Sequence, residues 1–174
     1  GLFVSMEILS SACNKLTRKS LLDSYHIRFN EKMFLNEDGL FHLMCYLKAK
    51  DFVIIETPVY HYRIRMNSSN QRFLPDVHHQ NVIVSKAFSD FAKELPNNIC
   101  SDFISLCSYR MYLNTMALYI EHPQNEKSLI NKCRYLDKEL DSGLYAISSI
   151  PHHLGHLKRM ELKALQRHWC TIHL

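Results

Sequence analysis

Hydrophobic and polar positions follow two different patterns along the chain. Residues 2–9 alternate loosely and are rich in strand-forming types, and residues 52–55 form a continuous apolar run typical of a strand buried on both faces. Beyond about residue 75, apolar residues recur at the i, i+3, i+4 and i+7 spacing of amphipathic helices. We therefore predict a mixed α/β segment over residues 1–75 and a helical extension over residues 76–174.

Two helices are predicted within the first segment. Thr17 is a suitable N-cap for a short helix through Tyr25, and Asn36 is one for a longer helix that ends near Lys50. The apolar residues of the longer helix share one face, and they are Leu40, Phe41, Met44 and Leu47. Together with the candidate strands, these helices indicate part of an α/β domain.

Four helices are predicted in the extension. The first ends at Pro96, and the second covers about residues 99–120 and stops before Pro123. Because the second helix is apolar around much of its circumference, we expect it to be central. The third helix ends before Gly143, and the fourth begins near Gly155.

The number of strands limits the fold class. The first segment offers about three strands, too few to form the central sheet of an α/β domain. We therefore expect an α+β, mostly helical fold, in which the first segment is one piece of a larger α/β domain. This shortage leads us to expect that the chain is the C-terminal piece of a longer protein.

Composition narrows the class of protein further. Of the 174 residues 47% are hydrophobic and 22% are charged, as in ordinary soluble proteins, and no apolar run reaches the roughly 20 residues that span a bilayer. The net charge of +4 is too weak to indicate nucleic-acid binding, but it suits an anionic partner such as a sugar diphosphate or a membrane surface. The six scattered cysteines include no C-x-x-C pair, which favours reduced thiols and a cytoplasmic location.

An acidic pair stands at the start of the longer helix of the first segment. Glu37 and Asp38 follow Asn36, where the helix dipole favours negative charge, and this explains the pair without any catalytic role. The alternative is a general base that takes a proton from a substrate hydroxyl. Adjacent helical residues face different directions, so at most one of the two carboxylates would be that base.

Two other features resemble metal sites, and we reject both. Glu139 and Asp141 lie late in a predicted helix and point in different directions. His152, His153 and His156 surround a helix-breaking stretch and have no acidic or cysteine ligand nearby. The chain has no Asp-x-Asp motif and no glycine-rich phosphate loop, so we predict no metal ligand within it.

Three short stretches, taken together, carry a family resemblance. They are residues 13–16, residues 36–41 and residues 60–63, the last followed by Arg65 and a polar loop at residues 67–69. In this order and spacing they resemble the acceptor-side half of family 2 glycosyltransferases with the GT-A fold. The resemblance covers about residues 1–75 and implies that a nucleotide-binding half precedes this chain.

The resemblance also implies roles for individual residues. Asp38 would be the catalytic base and Glu37 its neighbour, while Asn14 and Lys15 would make polar contacts near the donor and acceptor. The last stretch would supply further substrate-binding residues, with guanidinium groups suited to a leaving diphosphate, and these are Tyr62, Arg63 and Arg65. Without the resemblance, the first of these stretches is a strand end followed by a basic helical turn, and the last is an edge strand with a basic outer face.

The implied activity belongs to a parent enzyme of hexosyltransferase type. It would move a sugar, with inversion, from a nucleotide-sugar donor to the hydroxyl of a glycan or lipid-linked acceptor, in bacterial polysaccharide biosynthesis. Its Mg²⁺ or Mn²⁺ would be held mainly by the preceding half, so we expect this chain alone to bind no cofactor and to be inactive. Relatives of this kind act in the cytoplasm, some at the inner face of the membrane.

A competing hypothesis is a non-catalytic helical module that binds a protein or a membrane surface through residues 76–174. The last predicted helix is amphipathic and basic and contains Trp169, a composition that suits an anionic bilayer as well as ordinary packing. The sequence leaves peripheral membrane association and homo-oligomer formation open, and it does not specify the sugar or the linkage.

Overall fold

The computed structural model describes most of the chain, namely residues 12–58, 60, 61, 63, 68, 71–150 and 154–166. It divides into two compact units, Gly1–Arg65 and Met66–Leu174. The predicted strand at residues 2–9 lies outside the described residues. The assignment of the first segment to an acceptor-side half stays a prediction.

The first unit is built around two helices. A 3-10 turn, Ala12–Asn14, precedes helix α1, Lys19–Ser24, and helix α2, Glu37–Lys48. Helix α2 contacts both the turn and α1, and it buries one face, as its apolar periodicity predicted. The small core of this unit consists of Ile27, Phe41 and Cys45, with Leu21, Leu22 and Met44 packed against it.

Helix α2 begins at the predicted residue but without the predicted cap. Asn36 occupies the N-cap position in the left-handed conformation, with φ of 59°, and its side chain makes no capping hydrogen bond. Asparagine adopts this conformation more readily than most residues, which explains its presence at the sharp entry into the helix. Helix α1 likewise follows Arg18 rather than Thr17, again without a side-chain cap. The prediction of Asn36 as the N-cap residue is therefore confirmed, although its side chain forms no cap, and that of Thr17 is wrong.

The prediction of a buried strand at residues 52–55 is also contradicted. Within the described residues the segment belongs to no strand, and all four side chains are exposed, with Val53 at 86% and Ile54 at 81%. A strand requires a neighbour for its backbone hydrogen bonds, and the described part of this unit offers none. The apolar run is thus extended and uncovered.

The described residues of the second unit form four α-helices. They are α3, Val77–Ala92; α4, Asn97–Thr115, which continues into a π-helical turn at Met116–Ile120; α5, Leu129–Asp141; and α6, His156–Gln166. These helices agree with the mostly helical fold that the sequence predicts, and the last predicted helix beyond Gln166, with Trp169, lies outside the described residues. Gly143 follows α5 with φ of 78°, a left-handed conformation that glycine adopts without strain. Among the described helices, none combines the length and the apolar character that crossing a bilayer requires.

Helix α4 is the central element of the second unit, as predicted. It packs most extensively against α3, where Phe103 contacts the rings of Phe88 and Phe91 at centroid distances of 5.8 and 5.5 Å. Its buried residues include polar ones, such as Ser105 and Thr115. The five described cysteines of the chain are all free thiols, and they are Cys13, Cys45, Cys100, Cys107 and Cys133.

Candidate active site

The acidic pair occupies the first turn of α2. Glu37 and Asp38 are both half-buried, and one oxygen of Asp38 accepts a hydrogen bond of 2.8 Å from the backbone N–H of Gly39. This position combines the positive end of the helix dipole with free backbone N–H groups. A carboxylate is therefore stabilised here with part of its surface open to solvent.

Two basic and polar residues from the preceding turn lie near this pair. Asn14 belongs to the 3-10 turn that contacts α2, and the Lys15 ammonium donates to its side-chain oxygen at 2.5 Å. Burial lowers the pKa of Lys15, while the negative charge of Asp38 opposes that shift. The Lys15 and Asp38 charges therefore interact, and the hydrogen bond from Lys15 holds Asn14 beside Lys15.

Glu37 and Asp38 do not experience the same environment. Burial raises the pKa of Glu37, a backbone N–H lowers it, and the adjacent charge of Asp38 raises it. Glu37 therefore holds its proton more readily than an exposed glutamate. The two carboxylates repel each other, and part of that repulsion is relieved when Glu37 is protonated.

His42 is a site residue that the sequence analysis missed. It lies four residues after Asp38 on the same face of α2, is only 5% exposed, and its Nε2 atom has no hydrogen-bond partner. Burial, aided by the positive charge of Lys15 and opposed by the negative charge of Asp38, lowers its pKa to about 4. The imidazole is consequently neutral at physiological pH. The i, i+4 spacing from Asp38 was visible in the sequence, but a histidine on an apolar helix face is usually only a core residue.

Of the three predicted site residues in the last stretch, Arg63 lies within the described residues. Arg63 is exposed, and it forms no ion pair with Glu37 or Asp38 within the described ranges. Tyr62 and Arg65 lie outside the described residues. The proposed contacts of these three residues with a diphosphate thus stay predictions.

The described residues do not fit a divalent metal ion. A Mg²⁺ or Mn²⁺ ion needs several oxygen ligands that converge, and among the described residues no group of three His, Cys, Asp or Glu side chains is arranged in this way. Any such ion would need ligands from outside this part of the chain.

Comparison with known proteins gives one distant similarity. The chain is 29% identical over 107 residues to a Bacillus subtilis (strain 168) protein named "Putative glycosyltransferase EpsH". The match spans 60% of this chain but 29% of that protein. No protein-family model matches the chain, and no solved structure matches it significantly. The chain is therefore distantly similar to a protein that is named as a putative glycosyltransferase.

Proposed function

We propose that this chain is the acceptor-side part of an inverting glycosyltransferase of family 2 with the GT-A fold. The observation that carries the proposal is the half-buried acidic pair at the N-terminus of α2, next to Lys15, in a chain distantly similar to a glycosyltransferase. In this proposal Asp38 is the general base, because it is open to solvent on a rigid helical turn.

The proposed reaction transfers a sugar from a nucleotide-sugar donor. The oxygen of an acceptor hydroxyl attacks the anomeric carbon while the bond to the diphosphate oxygen breaks, and the diphosphate leaves with the electron pair. Asp38 takes the proton of the attacking hydroxyl. The acceptor is a glycan or a lipid-linked sugar, and the reaction belongs to bacterial polysaccharide assembly.

The neighbours of Asp38 have supporting roles in this proposal. Lys15 and Asn14 supply a positive charge and an amide for polar contacts with substrate, and Arg63 and Arg65 approach the diphosphate. The neutral His42 adds no second positive charge beside Asp38, so it leaves the carboxylate its basicity. Mg²⁺ or Mn²⁺, if the parent enzyme uses one, supplies charge neutralisation at the diphosphate through ligands elsewhere.

The proposal is tested by Asp38→Asn in an enzyme reconstituted with a nucleotide-binding half. We expect turnover to fall by about 10²–10⁴-fold, the usual contribution of a general base, while the Kd for the nucleotide sugar stays within about twofold. Asp51→Asn is the matched control, since Asp51 is exposed after the end of α2. Turnover of Asp38→Asn equal to that of the control would exclude Asp38 as the base.

The proposal that the donor site lies mainly outside this chain has its own test. The test is calorimetric titration of the chain with UDP and UDP-sugars, with and without Mn²⁺. We expect no binding at micromolar concentrations, because the described residues hold no metal-ligand group and no phosphate loop. Metal-dependent micromolar binding would contradict the proposal that the donor site lies mainly outside this chain.

A membrane-surface role is a second candidate, and helix α6 is the reason for it. Leu157 and Met160 are 76% and 55% exposed on this helix, and the exposed Lys163 follows them. An exposed apolar pair beside a lysine suits an anionic lipid surface. Co-sedimentation with vesicles rich in phosphatidylglycerol, lost on Leu157→Ser and Met160→Ser, would support this role; equal binding by the double variant would exclude it.

A further inference from the structure

A cleft of about 340 Å³ opens in the second unit, between helix α6 and the junction of α4 with its π-helical turn. This volume is at the lower end of the range for small-molecule sites. The cleft lies among residues that the proposed transfer reaction does not use, so its ligand is a separate question.

The inner wall of the cleft is aromatic and apolar. Tyr109 and Tyr112 of α4, Met116 of the π turn and Leu165 of α6 form this wall, and all four are buried. The ring of Tyr112 packs edge-on against Tyr145 at 6.2 Å, which fixes its orientation. The wall is therefore rigid and suited to the apolar body of a ligand.

Two carboxylates give the cleft its charge. Glu161 of α6 accepts a hydrogen bond from the Tyr109 hydroxyl, and the exposed Glu121 lies at the rim. The described residues provide neither carboxylate with a salt bridge, and the cleft lining contains no Lys, Arg or His. The cleft thus has uncompensated negative charge beside an apolar wall.

The π turn places one of these carboxylates. The backbone N–H of Glu121 bonds to the carbonyl oxygen of Met116 at 2.8 Å, an i to i+5 hydrogen bond in place of the α-helical i to i+4 bond. Such turns occur frequently at functional sites, where they re-aim side chains. Here the turn carries Met116 into the wall and Glu121 to the rim of the same cleft.

We propose that this cleft binds a small organic cation, a primary amine with an apolar body. Its ammonium group bonds to Glu161 and Glu121 through charge-assisted hydrogen bonds, with further attraction from the tyrosine rings. Its hydrocarbon part covers Met116 and Leu165. This inference goes beyond the proposed transfer reaction and does not depend on it.

The test compares two probes that differ only in charge. We titrate the full chain calorimetrically with 4-phenylbutylamine and with 4-phenylbutanol at pH 7. The amine is expected to bind about tenfold more tightly, since hydrogen bonds to charged groups are stronger than neutral ones by about one factor of ten in affinity. Equal affinity for amine and alcohol, or no binding of the amine at millimolar concentration, overturns the proposal.

Charge-removing variants locate the site. Glu161→Gln keeps an acceptor for the Tyr109 hydroxyl, and Glu121→Gln changes an exposed side chain, so the second variant remains informative if the first folds poorly. Each should weaken amine binding by about tenfold and leave alcohol binding unchanged. Glu126→Gln is the matched control, an exposed glutamate of the same unit that does not line the cleft. Amine affinity that falls equally in the control, or in none of the variants, overturns the assignment.

A neutral sugar is the alternative ligand for a cleft of tyrosines and carboxylates. Displacement of the amine by a disaccharide such as maltose, with a lower Kd than the amine, would overturn the preference for a cation. Failure of maltose to compete, together with the charge dependence above, supports it.

Discussion

At the scale of single residues, the α2 N-terminus combines groups whose charges depend on one another. Asp38 alters the pKa of both Lys15 and His42, and Lys15 alters that of His42. The sequence singles out Asp38 because acids after an N-cap, in this order of motifs, resemble those of a known family, and its role as base stays a prediction. The sequence does not single out His42, because its importance rests on burial and an unpartnered Nε2 atom, which no spacing reveals.

The first residue-scale prediction concerns the protonation of His42. Its pKa of about 4 lies below the unfolded value of 6.5, so the unfolded state binds more protons between these two pH values. The stability associated with the neutral imidazole is therefore present above pH 6.5 and lost as the pH falls towards 4. NMR titration of the His42 ring protons should give a midpoint near pH 4.

The same shift predicts a loss of folding free energy in acid. After allowance for solvent screening, the wild type should lose about 1–2 kcal/mol more than His42→Gln between pH 7 and pH 4.5. The raised pKa of Glu37 has the opposite effect, because protonation of Glu37 stabilises the folded state as the pH falls. Since His42→Gln keeps Glu37, comparison with this variant isolates the contribution of His42. His61→Gln is the control, and urea unfolding at each pH is the measurement. An identical pH dependence in His42→Gln and wild type contradicts the assignment.

At the scale of elements, a buried polar network joins three helices of the second unit. The Asn81 amide of α3 donates to Thr115 of α4 at 2.8 Å and to the Tyr145 hydroxyl at 3.0 Å. Tyr145 donates to Glu139 of α5 at 3.0 Å, and Glu139 in turn pairs with His78 at 2.7 Å. Such a network fixes the register of the helices, because every alternative packing leaves a buried polar group without a partner.

Removing one hydroxyl from this network should destabilise the second unit. Tyr145→Phe removes one of the donors of buried Glu139, which keeps its contact with His78. We therefore expect the free energy of unfolding to fall by about 1–3 kcal/mol. Tyr25→Phe is the control, because Tyr25 is exposed and the same change should cost less than about 0.5 kcal/mol. Chemical denaturation followed by circular dichroism measures both. Equal stability of the two variants contradicts a structural role for the network.

The helices of the second unit were predictable because their apolar residues repeat with the helical period. The polar contacts between these helices were not predictable. The sequence indicated α4 and its central place, but it treated residues 116–120 as a continuation of the same helix. A π turn and a buried asparagine depend on tertiary partners that local periodicity does not contain. The cleft beside the π turn was missed for the same reason.

At the scale of the whole molecule, the exposed apolar segment at residues 52–55 is the main departure from expectation. Its composition predicted burial, and the described residues leave it uncovered. The four residues have the composition of a buried strand, but they belong to no strand among the described residues. The sequence shows that residues 52–55 are hydrophobic. Whether they are buried depends on neighbouring strands, and the described residues form none.

This segment should drive self-association. Exposed extended apolar segments pair with other chains, so the wild type should elute as concentration-dependent oligomers in size-exclusion chromatography at tens of micromolar. Val53→Lys should restore the monomer, because Val53 is 86% exposed. Val82→Lys, a change of the same type at an exposed position of α3, is the control and should leave the oligomers intact. A wild type that stays monomeric at all concentrations contradicts the prediction.

The π-helical turn has a consequence for how this protein can change over generations. A turn closed by an i to i+5 bond is equivalent to one extra residue in a regular helix, and each residue rotates an α-helix by about 100°. Deleting the exposed Ala117 would restore regular hydrogen bonding and rotate Glu121 relative to α4. Such a deletion would make the helix regular and dismantle the cleft, so a regular helix and this cleft exclude each other.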